Sequence, residues 1–501
     1  MITQVIKPYL AWRRKQIYNR YMQAEATQMK ALYRLLGKAQ STEWGREYHF
    51  GTIRSYEDFA KQVPLTDYEV LKESIDRMRH GEVDVLWPGR VKWYAKSSGT
   101  TNDKSKFIPV SQTALKDTHY RGGTDAVVFY LGNNPKSHIM DGRALILGGS
   151  HQPNYNLPHS LVGDLSAILI ENIAERVNMF RVPSKSTALL ADFEEKRDRI
   201  AHEAIAKRVT SLSGVPSWMM SVLTRVLEIT GKDTIKEVWP HLEVFFHGGV
   251  AFTPYREQYH RIIGGEGIRY EETYNASEGF FALQDKPEDT AMLLMLDYGV
   301  FYEFIPLEDV GKDNPRVLPL WGVEAGKNYA LVITTSSGLW RYQIGDTVRF
   351  TQTSPTYKIL ISGRTKSFIN AFGEELIVDN AEQGLQRACS ETGARVKEYT
   401  AAPVFMDETG KCKHQWVIEF DHEPDDLARF AEILDTTLQQ INSDYEAKRY
   451  KNLTLQPLEI VKGRNGLFED WLRSRGKLGG QHKVPRLCND RKIIEEILAL
   501  A

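Results

Sequence analysis

The residues best suited to chemistry fall in one short stretch. Ser97-Ser98-Gly99-Thr100-Thr101 sets consecutive hydroxyls around a single glycine, with Lys96, Lys104 and Lys106 close by. Apolar runs flank it, Val91 to Ala95 before and Phe107-Ile108-Pro109-Val110 after. A turn of this composition between two strands can aim backbone N–H groups, hydroxyls and ammonium groups at one polyphosphate. The G-x-x-x-x-G-K-[ST] order of a Walker A loop is absent. Taken alone, the stretch reads equally well as a Ser/Thr-rich surface turn.

Five further constellations follow along the chain. Phe246-His247-Gly248-Gly249-Val250-Ala251 runs an apolar strand into a Gly-Gly turn, where a flat ligand can approach the backbone; the same pair also suits an ordinary left-handed turn. Tyr274-Asn275-Ala276-Ser277-Glu278 offers an aromatic face beside one carboxylate, enough for Mg²⁺ when phosphate oxygens supply the other ligands. Arg341-Tyr342-Gln343-Ile344-Gly345-Asp346 predicts a strand ending in a tight Gly-Asp turn, its carboxylate open to a ribose or closed in an Asx-type turn. Ser362-Gly363-Arg364-Thr365-Lys366 follows another strand, and Gly373-Glu374-Glu375 predicts a helix start. Gln481-His482-Lys483-Val484-Pro485-Arg486 puts a lysine in a loop near the end of the chain, where most lysines are only solvated charges.

These groups need a scaffold of 501 residues, too long for one core, so two or three domains are expected. Residues 1 to about 40 carry apolar positions at helical spacing, predicting one or two amphipathic helices with a basic solvated face (Lys7, Arg13, Arg14, Lys15). Short apolar runs then alternate with helical stretches, which predicts an α/β architecture with substantial parallel sheet. From Tyr329 the pattern turns strand-rich, with separate strands at 339–343 and 347–350. A smaller α+β region follows, so the expected division is 1–362 and 363–501, at Ser362-Gly363-Arg364-Thr365.

Composition narrows the classes. With 64 basic and 65 acidic residues there is no global field to steer a nucleic acid. Three cysteines without metal-type spacing fit a reducing compartment. The best apolar run, Ala291 to Leu296, stops at Asp297, far short of the roughly 18 residues of a spanning helix. With no signal-like N-terminus, the expectation is a cytoplasmic protein without integral membrane association.

In their order, the motifs resemble those of the Gretchen Hagen acyl-acid amido synthetases, within the acyl-adenylate-forming superfamily. Lys96–Thr101 with Lys106–Pro109 looks like that family's phosphate loop, Tyr274–Glu278 like its second motif, Arg341–Asp346 like its third, and Gln481–Arg486 like its C-terminal lysine motif. Two departures point to a non-plant homologue. Asn102-Asp103-Lys104 stands where the family usually has glycine, and 362–375 looks like the hinge of general acyl-adenylating enzymes.

The resemblance implies a large N-terminal adenylate-forming domain with mixed and parallel sheets and a β-rich subdomain, plus a mobile C-terminal lid. It implies ATP and Mg²⁺, a small carboxylic acid and an amine acceptor, usually an amino acid. Ser97, Ser98, Gly99, Thr100 and Thr101 would hold phosphates with help from Lys106. Gly248, Gly249 and Tyr274 would frame the adenine, Asp346 would grip the ribose, Ser277 and Arg364 would also bind the nucleotide, and Glu278 would hold the metal. Lys483 would stabilise charge on the α-phosphate. Arg121, Val250 and Ala276 are the candidates for the acid, Arg121 for its bidentate fork. Trp218, Met219, Met220, Phe245, Phe246, Phe280 and Phe281 suggest an apolar or aromatic acid, or simply core. Two alternatives remain: an acyl-CoA or other thioester ligase with the same first step, and a catalytically silent nucleotide binder.

Overall fold

The computed structural model describes residues 2–97, 106–249, 252, 256–265, 267–287, 289–365, 368–369, 374, 376–404, 412–442, 445–446, 449, 455–475, 483–488 and 490–501. The chain divides into two compact units. The first comprises Met1–Gly99, Lys104–Ile344 and Arg349–Leu360; the second comprises Thr100–Asp103, Gly345–Val348 and Ile361–Ala501.

The first unit opens with two helices, α1 (Ile2–Tyr21) and α2 (Ala24–Ala39), as the apolar spacing predicts. In α2 the buried Gln28, Leu32, Leu35, Leu36 and Ala39 recur every three or four residues, one stripe of a 3.6-residue period. Gln28 serves as more than filler. Its amide donates to the carbonyls of Leu296 and Val300 and accepts from the N–H of Tyr302, tying the helix to the sheet beneath.

A small sheet carries the phosphate-loop candidates: β1 (Trp93–Ser97) lies between β2 (Lys106–Val110) and a short strand at Leu161–Gly163. β1 and β2 are antiparallel with Ser97 opposite Lys106, so the two ends of the 98–105 segment start side by side.

The large sheet has twelve strands. Its parallel part comprises β3 (Arg143–Ile146), β4 (Arg181–Val182), β5 (Val209–Gly214), β6 (Val244–Gly248) and β7 (Arg269–Ala276). β4, β3, β5, β6 and β7 lie side by side in that order and run the same way. From β7 the sheet turns antiparallel through β8 (Gly279–Leu283) and β9 (Met292–Leu294). Beyond these lie β10 (Val300–Pro306), β11 (Leu318–Pro319), β12 (Asn328–Thr335), β13 (Tyr342–Gln352) and β14 (Lys358–Arg364). β8 and β10 are buried at every position; GFFAL is apolar throughout, whereas VFYEFIP is interrupted by one charged residue, Glu303.

One expectation fails here. Gly345-Asp346 does not close a turn between two short strands but lies inside the eleven-residue β13. Gly345 takes φ +89°, a conformation that glycine alone adopts without strain, so the strand bends there and continues.

The second unit is α+β. A short hairpin, β15 (Phe368–Ile369) with β16 (Leu376–Ile377), precedes a helix at Val378–Thr392. β17 (Arg395–Val404) pairs antiparallel with β18 (Lys413–His422), which pairs parallel with β19 (Glu459–Gly463). The helix expected to begin at Glu374-Glu375 starts four residues later, at Val378. Glu374 is fully buried and bonds His414 Nε2 at 2.8 Å, so it is a core group and not a helix-end charge. The stack of Tyr399 on Trp416 (5.6 Å) and the buried Arg449–Asp435 pair (2.6 Å) fix the rest of this core.

Candidate active site

The candidate site of the first unit is built at the carboxyl ends of parallel strands, where ligands of open α/β sheets bind. The register is explicit: Ile146 pairs with Ser213, Gly214 with His247, and Gly248 with Thr273. Gly148, Gly214, Gly248 and Ala276 therefore lie along one edge. Gly248 is required by its neighbour, because a Cβ there would come within 2.3 Å of the Thr273 carbonyl oxygen. Gly249 takes φ +83°, in the left-handed region that favours glycine.

Tyr274 follows Thr273 and is buried, its ring edge-on to Phe281 at 4.9 Å. Ala276 ends β7, Ser277 and Glu278 form the turn, and Gly279 begins β8. Glu278 is 8% exposed, so a carboxylate is held out of bulk water at the tip of this hairpin. Among the described residues no group of three or more His, Cys, Asp or Glu could hold a metal unaided. One buried carboxylate suits Mg²⁺, which keeps most of its shell for phosphate and water oxygens.

Lys106 starts β2, half-buried, its ammonium 5.7 Å from the centre of the Tyr68 ring. The Tyr68 hydroxyl accepts the N–H of Phe107 (2.9 Å), and Arg79 lies over the Phe107 ring at 3.8 Å. Lys96 sits over Tyr155 at 4.3 Å. Both lysines flanking the loop are thus seated on aromatic rings that orient their charge. Ser97 ends β1; Ser98, Gly99, Thr100, Thr101 and Val250 lie outside the described residues, as do the side chains of Ser97 and Arg364.

Arg121 is engaged by a carboxylate of the chain. Its Nη2 donates to Asp297 Oδ2 (2.6 Å), its Nη1 to the Asp297 carbonyl (2.9 Å), and it lies over the Tyr298 ring. The fork expected for a carboxylate ligand is spent on a carboxylate of the chain itself, which also accepts from Tyr21 and Arg20. The apolar residues proposed for an acid pocket are core in part: Met219, Phe245 and Phe281 have no exposed surface.

Two features escaped the sequence reading. Gly148-Gly149-Ser150, after β3, repeats the strand-then-Gly-Gly pattern of β6 and could have been found by that likeness. This loop is clamped from two sides. The buried Lys196 donates to the Gly149 carbonyl (2.8 Å), and Asp164 accepts the Ser150 N–H (2.8 Å). Burial pushes the Lys196 ammonium down to about 8, with Asp164 acting against the shift. The other is on β7, where burial pushes the Glu271 carboxyl up to about 7. On β6, opposite the next residue Glu272, burial brings His247 down to about 3, keeping it neutral, and its Nδ1 has no hydrogen-bond partner among the described residues.

In the second unit, Asp346 is 7% exposed within β13. The Thr365 N–H donates to the Gly345 carbonyl (2.8 Å), and Ser362 and Thr347 bond through their hydroxyls (3.1 Å). The backbone on either side of Asp346 is thereby fixed. Lys483 is exposed, in an extended stretch just before the buried Val484.

This fold is that of the acyl-adenylate-forming ligases. A 2-hydroxyisobutyryl-CoA ligase in its postadenylation state matches with TM-score 0.60 and 14% identity, over 95% of this chain and 91% of that one. The acyl acid amido synthetase AtGH3.15, solved with 2,4-DB, matches with TM-score 0.79 and 18% identity, over 98% and 96%. The sequence pattern of the GH3 family N-terminal domain matches residues 13–268, that of its central domain 293–364 and that of its C-terminal domain 379–492. The chain belongs to the GH3 family. Curated relatives include the indole-3-acetic acid-amido synthetase GH3.3 of Arabidopsis thaliana, 24% identical over 93% of this chain and 90% of that protein. Another is the 4-substituted benzoates-glutamate ligase GH3.12 of Arabidopsis thaliana, 22% identical over 87% and 88%.

Proposed function

We propose that the protein is an ATP-dependent acyl-acid amido synthetase: it adenylates a carboxylic acid and transfers the acyl group to an amine, an amino acid in the first instance. The observation that carries this reading is the edge formed by Gly248 flush against Thr273, followed on the same strand by Tyr274 and at its hairpin tip by the buried Glu278. A flat base can lie where Gly248 and Gly249 present only backbone, with Tyr274 and Ser277 beside it.

ATP supplies the adenylyl group: an oxygen of the acid attacks the α-phosphorus and pyrophosphate leaves; the amine then takes the acyl carbon and AMP leaves. Ser97 to Thr101 and Lys106 hold the phosphates, Asp346 and Arg364 the remainder of the nucleotide, and Glu278 would hold Mg²⁺, which screens phosphate charge when bound. Lys483 stabilises negative charge on the α-phosphate; a preorganised cation there contributes on the order of 3 kcal/mol to lowering the barrier. Val250 and Ala276 are assigned to the acid. Residues 1–362 act as the acid- and nucleotide-binding domain and 363–501 as a lid whose closure excludes water from the mixed anhydride. Three free cysteines suit a cytoplasmic site of action. No helix among the described residues is long and apolar enough to cross a membrane.

The test is ATP–pyrophosphate exchange with a panel of aromatic, aliphatic and fatty acids, in wild type and Lys483→Ala, followed by addition of amino acids or CoA. Exchange that needs one acid and Lys483, with AMP released on adding an amino acid, is the expected result. Release by CoA alone assigns a thioester ligase. ATP binding without exchange for any acid assigns a silent binder.

A further inference from the structure

A second concave surface lies in the first unit, made of residues with no part in the nucleotide site. It is a groove of about 720 Å³ between the α1–α2 junction, the loop that joins β13 to β14, and the turn that holds Trp321. That volume falls within the range of small-molecule sites. Met22, at the reversal between the two helices, is 55% exposed, and Met29, Trp321 and Tyr357 line the groove half-buried. Two thioethers and two aromatic rings are gathered around one concavity, interspersed with the polar Gln23, Thr353 and Ser354.

The charge of the lining is one-sided. Glu25 is the only carboxylate among the lining residues, which include no lysine, arginine or histidine, and it makes no ion pair among the described residues. Trp321 is held edge-on by Tyr56 (centroids 5.7 Å apart), which fixes its orientation at the groove wall. The Tyr357 phenol is pushed up first by burial and then by the Glu25 charge, which places that carboxylate near enough to act on the ring. Aromatic rings and a carboxylate with no ion pair among the described residues are the groups that recognise an organic ammonium. A polyphosphate or a carboxylate would be repelled by Glu25 and would meet no cation.

We propose that this groove is a binding site for a small organic cation with an apolar body, an alkyl- or arylammonium seated on Trp321 and Tyr357 with its charge toward Glu25. The inference does not rest on the adenylation reading, since none of these residues serves it.

The test uses the full chain labelled with 5-fluorotryptophan and read by ¹⁹F NMR, the Trp321 signal being assigned from Trp321→Phe. The probe is benzyltrimethylammonium, which cannot serve as an acyl acceptor because it has no N–H. Saturable movement of the Trp321 signal is expected, with binding at least fivefold weaker in Glu25→Gln and at least tenfold weaker for the neutral benzyl alcohol. Glu25 is exposed, so the substitution leaves the fold intact, and an unchanged melting temperature verifies this. Equal binding of the alcohol, an unaltered affinity in Glu25→Gln, or a Trp321 signal that stays fixed at saturating probe would each overturn the assignment.

Discussion

Arg341 and Glu303 form a buried, bidentate ion pair: Nη2 lies 2.8 Å from Oε1 and Nε 2.9 Å from Oε2, with side-chain exposures of 5% and 1%. The remaining donor, Nη1, is shared between the carbonyls of Ala60 and Val63, both at 2.8 Å. Arg341 takes φ +44°, rare for a residue with a Cβ, and the pair holds it there one residue before β13 begins. The motif that looked like a ligand-binding signature thus opens with a structural residue.

Replacing Glu303 by Gln should leave a buried guanidinium short of its counter-charge. Loss of one partner of a buried pair costs about 3–5 kcal/mol. A urea titration should show the midpoint fall at unchanged slope, while Arg316→Gln, whose partners Glu308 and Asp309 are at the surface, should move it by under about 1 kcal/mol.

Gly248→Ala should damage nucleotide binding more than its single methyl suggests. The new Cβ would meet the Thr273 carbonyl at 2.3 Å, a backbone atom that cannot rotate away. Strand separation or loss of about 1–3 kcal/mol should follow. Calorimetric titration with ATP should show weakened binding, whereas Gly123→Ala, in open space on a helix, should bind as wild type.

Glu278→Gln should raise the Mg²⁺ concentration needed for half-maximal pyrophosphate exchange by at least tenfold, with melting nearly unchanged. The substitution keeps the shape of the buried side chain and removes only the charge that a hard cation requires. An unaltered Mg²⁺ dependence would remove Glu278 from the metal site.

Glu271 sets a pH dependence of stability. Its carboxyl is raised by burial from 4.5 to about 7, so the folded protein holds this proton more tightly than the unfolded chain does. The stabilisation is complete below about 4.5 and is lost as pH rises through about 7, a contribution on the order of 3 kcal/mol. Glu271→Gln should make that segment of the stability–pH curve shallower, the adjacent Glu272, likewise raised by burial to about 7, keeping the remainder, and should make the protein more stable than wild type at pH 8. Denaturant midpoints between pH 5 and 8 check both.

Much of the architecture was legible because local chemistry and periodicity agree with it. α2 carries its buried stripe in the sequence, β12 matches the strand expected from Tyr329, and Ser97 and Lys106 end and begin two strands flanked as expected. The course of β13 was misread because Gly345-Asp346 has turn composition; the strand continues because its neighbours in the sheet supply pairing that outweighs a local preference. The partner of Arg121 was hidden for a related reason. A guanidinium suits any carboxylate, and nothing near it in sequence shows that Asp297 lies 2.6 Å away.

The sequence by itself determined the order of the motifs, the alternation of strands and helices, and the groups available for chemistry, because these depend on residue type and short-range spacing. Only the tertiary structure decided which charges are already paired and which glycines face a neighbouring backbone. It also decided which acids and bases are stripped of water: Lys196 beside Asp164, Glu271 beneath the sheet, Glu278 at its hairpin tip. Such outcomes depend on distance and burial between residues far apart in the chain, and a linear pattern carries neither.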